Sequence, residues 1–161
     1  MDEQTRAAMI ALLPRLRRFC HGLAGNSTDG DDLVQLACER ATSRIHQFQR
    51  GTRLDSWMFR IAQSIWLNQV RSRKVSKVEY DSEAVERQVG EEGEAAMLHR
   101  LTYKQTLEAM SRLSHEHREV LMLVCIEGFS YADTASMLDV KIGTVMSRLA
   151  RARNHLRDAL T

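Results

Sequence analysis

At 161 residues, the chain has room for one ordinary domain or two small helical modules, but none for a catalytic domain with a separate sensor. Its 43% hydrophobic and 27% charged residues fit a soluble globular protein and exclude a disordered one. The net charge of +2 hides a split: Glu79 to Glu94 carries seven acids against the single Arg87, a net of −6, which leaves +8 for the remainder.

A basic body with an acidic segment points to nucleic-acid contact by the ordered parts. No run approaches the roughly 18 apolar residues that cross a bilayer, and Met1-Asp2-Glu3-Gln4 lacks the basic-then-apolar start of a signal peptide. The expected location is therefore cytoplasmic, without membrane insertion. Cys20, Cys38 and Cys125 form no CxxC pair, which argues against a disulfide framework or a zinc motif and predicts ordinary buried thiols. His115 and His117 flank Glu116 and point in different directions on a helix, so solvated surface is expected of them.

Apolar residues recur at helical spacing almost throughout, and Pro14 is the only proline, so the predicted fold class is all-α. Met9, Leu12, Leu16, Phe19 and Leu23 form one stripe over residues 5–24, in which Pro14 either kinks the helix or marks its start near Leu13. The segment from Gly25 to Gly30 reads as a loop by composition. Asp31 and Asp32 would then stand in the first turn of a second helix, where acids favour the dipole. That helix is predicted to run to about Phe48, burying Leu33, Ala37, Ala41 and Ile45.

A loop at 49–52 precedes a third helix whose apolar face is Leu54, Trp57, Met58, Ile61, Ala62 and Ile65. Its other face, Arg60, Ser64, Asn68 and Arg71, is polar and cationic. The apolar period fades after Arg73-Lys74 and resumes at Ala95. This gives a module at 1–74, a flexible acidic linker at 75–94 and a second module at 95–161.

The second module opens with Met97, Leu101, Leu107, Met110 and Leu113, then Val120, Leu121, Val124 and Cys125 on a helix closed by Gly128. Ser130-Tyr131-Ala132-Asp133 is a capping-box pattern that starts a short helix ending at Leu138. A turn at 139–141 leads into a last helix to Leu160. A short helix, a tight turn and a longer helix make a helix-turn-helix, whose second helix enters the DNA major groove. Val145, Leu149, Ala152 and Leu156 form the last helix's buried stripe, leaving Thr144, Ser147, Arg148 and Arg151 to reach DNA. Lys141 to Arg157 holds five Lys/Arg residues and no acid, which supplies phosphate neutralisation and guanidinium groups able to read guanine.

The stretch Phe129 to Leu138 and the string Gly143-Thr-Val-Met-Ser-Arg-Leu-Ala-Arg-Ala-Arg153 resemble region 4 of extracytoplasmic-function (ECF) sigma factors of the sigma-70 family. Asp31-Asp32-Leu33-Val34-Gln35 and Trp57-Met58-Phe59-Arg60-Ile61-Ala62 resemble the family's region 2, so the likeness covers nearly the whole chain in the right order. The resemblance implies a non-enzymatic subunit that binds core RNA polymerase and promoter DNA under the control of an anti-sigma factor, with no cofactor and no metal.

It implies polymerase docking through Asp31, Asp32, Val34, Gln35 and Arg40. It implies −10 contacts from Gln49, Arg50, Arg53, Ser64, Asn68 and Arg71, and −35 contacts from Lys141, Thr144, Met146, Ser147, Arg148 and Arg151. A loop with cations beside a polar helical stripe suits phosphates and an extruded base. Met146 replaces a lysine usual in the family, Ser64 an asparagine and Asn68 an aspartate, so promoter sequence does not transfer from relatives. Two rivals stand beside this reading: a sigma-like decoy that titrates an anti-sigma factor, and a plain helix-turn-helix repressor. No P-loop, GxSxG or HExxH motif supports an enzyme.

Overall fold

The computed structural model describes residues 1–76 and 104–160. Among them all regular structure is helical. Helix α1, Glu3–Ala24, begins where Asp2 Oδ1 accepts the Thr5 N–H at 2.7 Å and ends at Gly25, whose φ of 80° closes the last turn onto the His21 carbonyl. The helix therefore starts well before Leu13. Pro14 lies inside it on the exposed side, where water can reach the Ile10 carbonyl that the ring leaves without its usual donor.

Helix α2, Ser27–Ser43, corrects the sequence reading at both ends. Asn26 Oδ1 accepts the Asp29 N–H at 2.8 Å, so Gly25 to Gly30 holds a helix cap rather than a loop. Asp29 is the first-turn acid, and Asp31 and Asp32 fall one turn later. Gly30 is buried against α1, where an added Cβ would come within 2.8 Å of His21 Cα, so it is there for close helix approach. The helix stops at Ser43, and Ile45–Gln47 is a single 3₁₀ turn leading to the 49–53 loop.

Helix α3, Leu54–Ser76, takes in the first two positions of the expected linker; the rest of that linker lies outside the described residues. Its buried side is wider than one stripe. Phe59, Gln63 and Trp66 are buried with Met58, Ala62 and Ile65, because the second module covers a face the sequence left open.

In that module, α4 is described over residues 104–111, and α5, His115–Leu121, is capped by Ser114. One wide π turn, Met122–Ile126, then reaches Gly128, whose φ is 75°. Helix α6, Tyr131–Leu138, is capped by Ser130, and α7 spans Ile142–Leu160. The apolar core is continuous across both modules, with ring centroids of Phe19 and Phe59 at 4.8 Å and of Phe59 and Phe129 at 5.5 Å.

The cysteines divide. Cys20 is buried, its thiol pushed up to about 12 by desolvation, and Cys38 is half-buried, but Cys125 is exposed and does not fit the buried-thiol expectation. The π turn carries it out of the apolar face on which a regular helix would have placed it.

Candidate nucleic-acid and polymerase interface

Helix α7 is anchored by Val145, Leu149 and Ala152, all essentially buried against α5 and α6, with Leu156 half-buried. The 3.6-residue turn then fixes what faces outward. Lys141, Met146, Ser147 and Arg151 are exposed and Thr144 is half-buried. Met146 is 52% exposed. Ser147 Oγ donates to the Thr144 carbonyl at 3.3 Å, which leaves its lone pairs free to accept.

Arg148 departs from expectation. It leans back toward α5, where Nη2 lies 3.7 Å from Glu116 Oε2 and the side chain is only 22% exposed. Arg151 is thus the outward guanidinium of the pair. Beside it, the rings of His117 and His155 lie 6.0 Å apart. Burial and then the nearby positive charges of His155, Arg151 and Arg148 hold His117 below the ordinary histidine value. His117 therefore borders the basic face rather than standing alone on the surface; its i, i+2 relation to His115 gave no sign of His155.

The first module presents two further surfaces. Ser64, Asn68 and Arg71 are exposed along the outer side of α3, in line with Arg60. The adjoining loop turns tightly at Gly51, φ 87°, with Thr52 Oγ1 donating to the Gln49 carbonyl at 2.6 Å, and it exposes Gln49 and Arg50. Arg50 pairs with Asp2.

Arg53 is more deeply engaged than a free DNA contact would be. It reaches Asp55 at 3.0 Å and Asp133 at 2.8 Å, and its guanidinium lies 5.0 Å from the Phe129 ring centroid. Asp133 consequently forms only half of the expected capping box. Its N–H goes to Ser130 Oγ at 3.0 Å, but its carboxylate leaves the helix end for Arg53.

On α2, Asp32 and Gln35 are exposed, and Val34 and Arg40 are half-buried. Asp31 accepts from His21 at 2.7 Å and Arg17 at 3.1 Å, contacts that hold its carboxyl below the usual range. The polar groups of α1 and α2 rim a groove of about 950 Å³, floored by Pro14, Val34, Leu107, Met110, Met122 and Ile126. It runs between the two modules. Among the described residues no cluster of His, Cys, Asp or Glu is arranged to hold a metal, and no helix is long and apolar enough to cross a membrane.

Two family models match the chain, "Sigma-70, region 4" over residues 103–156 and "Sigma2 domain of PhyR" over residues 9–63. The chain is 33% identical over 156 residues to the ECF RNA polymerase sigma factor EcfG of Rhodopseudomonas palustris, covering 97% of this chain and 84% of that one. The chain belongs to the ECF family of RNA polymerase sigma factors. As a sigma factor it acts with RNA polymerase and promoter DNA and is not an enzyme.

Its structure superimposes on a sigma factor RpoE, solved with the anti-sigma factor NepR from Bartonella quintana, with a TM-score of 0.81, 29% identity, and 99% and 98% of the two chains covered. It also shares the fold of the anti-anti-sigma factor PhyR from Bartonella quintana, solved with NepR. There the TM-score is 0.61 at 17% identity, covering 96% of this sigma factor and 49% of PhyR. The region 2 match spans α1, α2 and the start of α3, and the region 4 match spans the described part of α4 through most of α7.

Proposed function

We infer that this sigma factor directs core RNA polymerase to a specific set of promoters, reading the −35 element with α7 and the −10 element with the 49–53 loop and the outer side of α3. The observation that carries the reading is the face of α7. Lys141, Ser147 and Arg151 are exposed on a helix free of acids from Lys141 to Arg157, while Val145, Leu149 and Ala152 fix its orientation. A reading helix needs that combination of a rigid seat, cations for phosphate and short polar groups for base edges.

Polymerase docks on α2 through Asp32 and Gln35, with Asp31, Val34 and Arg40 at the margin. An anti-sigma factor occupies the inter-module groove with the apolar side of a helix. The likeness to an RpoE solved with an anti-sigma factor supports that partner. A second reading, the decoy, draws support from the match to the PhyR sigma2 domain, but the basic face of α7 has no use in a protein that avoids DNA.

Run-off transcription with bacterial core polymerase on genomic promoter fragments tests the choice. Discrete transcripts that depend on the chain and are weakened by Arg151→Ala are expected. Tight anti-sigma binding without any transcript would establish the decoy instead.

A further inference from the structure

We propose that Ile142 and Met146, at the leading end of α7, read thymine by its 5-methyl group, so that this sigma factor selects A·T pairs at the tip of the helix by apolar contact rather than guanine by arginine. The inference deepens the assignment of α7 to the −35 element and rests on it.

The exposed positions in the first turns of α7 are Ile142, Gly143, Met146, Ser147 and Ala150, and not one of them is charged. Ile142 is 48% exposed and Met146 52%. Four residues apart, they are neighbours on one side of the helix, and the buried stripe Val145, Leu149 and Ala152 keeps that side turned away from the core. Charge stands before and after this tip. Lys141 precedes the helix and is exposed, Arg148 is drawn back to Glu116 at 3.7 Å, and the exposed guanidiniums begin at Arg151.

The order of these side chains decides which chemistry meets which part of the DNA. A recognition helix brings its N-terminal residues to the base edges, and here those residues offer methyl and methylene groups. Thymine is the one base whose major-groove edge carries an apolar group, its 5-methyl. A guanine or cytosine set against Ile142 or Met146 would lose water from its polar edge and receive no hydrogen bond in return. Lys141 and Arg151, flanking the tip, suit phosphate instead. Four residues rise about 6 Å along the helix at about 1.5 Å each, close to two base-pair steps of about 3.4 Å. The two side chains can therefore meet two thymine methyls within three consecutive base pairs.

The test uses holoenzyme reconstituted with the full chain, on a promoter found by the run-off assay. Each thymine of the −35 element, on either strand, is replaced singly by deoxyuridine, which removes the 5-methyl group and leaves the hydrogen-bonding groups in place. Competition binding reads the affinity. With the parent chain, replacement at one or two positions should weaken binding about fourfold each, the effect of one buried methyl. With Ile142→Ala or Met146→Ala the matching replacement should weaken it no further, which ties that methyl to that side chain. Both side chains are exposed, so the core stays intact, and circular dichroism checks that the helices are retained.

A −35 element without thymine, or one in which every deoxyuridine is tolerated, overturns the inference. An equal deoxyuridine penalty in the parent and in both alanine variants overturns it too, because the methyl then acts through DNA shape. If deoxyuridine is tolerated while Met146→Ala weakens holoenzyme assembly, the pair packs on polymerase instead. Scrambling the whole −35 element separates these failures from failure of the underlying assignment. Affinity lost on scrambling and with Arg151→Ala keeps α7 as the reading helix and refutes only the methyl contact. Affinity indifferent to both changes, or no promoter at all, removes the −35 assignment and the inference with it.

Discussion

Glu119 is the carboxyl whose replacement is expected to raise stability. It lies on α5 at 3% exposure, and Gln63 Nε2 of α3 donates to its Oε2 at 3.2 Å across the module boundary. Burial pushes it up to about 7, opposed by the Gln63 hydrogen bond and Arg148 and reinforced by Glu116. Its ordinary value is 4.5. A carboxyl raised in the folded state gives its full contribution below the unfolded value, and that contribution is lost as pH rises from about 4.5 through about 7.

At about 1.4 kcal/mol per pH unit the loss is on the order of 3 kcal/mol. Glu119→Gln keeps an acceptor for Gln63 and removes the ionisation. The variant should match the parent near pH 4.5 and exceed it by up to about 3 kcal/mol at pH 8, roughly 6–12 °C in Tm for a chain of this size. Urea unfolding followed by circular dichroism from pH 4.5 to 8.5 measures the difference between the two proteins, so other carboxylates cancel. Parallel pH profiles, or a variant less stable than the parent at pH 8, would refute the reasoning.

Arg118 donates to the Leu23 carbonyl at the end of α1 and to the carbonyls of Met110, Ser111 and Leu113, so Arg118→Ala strands four acceptors and should cost about 2–4 kcal/mol in urea unfolding. Gly30→Ala drives a methyl toward the His21 backbone and should destabilise by about 1–3 kcal/mol, whereas Gly22→Ala meets only the flexible end of Met122 and should be milder; paired thermal melts separate them. On duplex promoter DNA across several salt concentrations, Arg151→Ala should lose either about 1–3 kcal/mol of discrimination or about one unit of salt slope. Arg148→Ala, already tied to Glu116, should change DNA affinity less than Arg151→Ala, and an equal loss would place both guanidiniums on the DNA.

The sequence by itself determined what depends on local period and local caps. The stripes Leu12-Leu16-Phe19-Leu23 and Val145-Leu149-Ala152 are buried as their spacing requires, and Ser130 caps α6 where its pattern placed it. The outward set Ser64, Asn68 and Arg71 follows from the same arithmetic. It misled where composition spoke louder than geometry: Asn26-Ser27-Thr28-Asp29 is polar enough for a loop, yet it is a cap sequence, and α2 begins there.

Only the tertiary structure decided which charges were free. The ion pairs among Arg53, Asp133, Arg15, Arg18 and Glu127 join residues up to 112 positions apart, and their pairing leaves no periodic trace, because a salt bridge across modules depends on how two rigid bodies meet and not on either body's own repeat. The width of α3's buried side and the leaning of Arg148 onto Glu116 have the same origin: each is set by a neighbour that the local pattern cannot see.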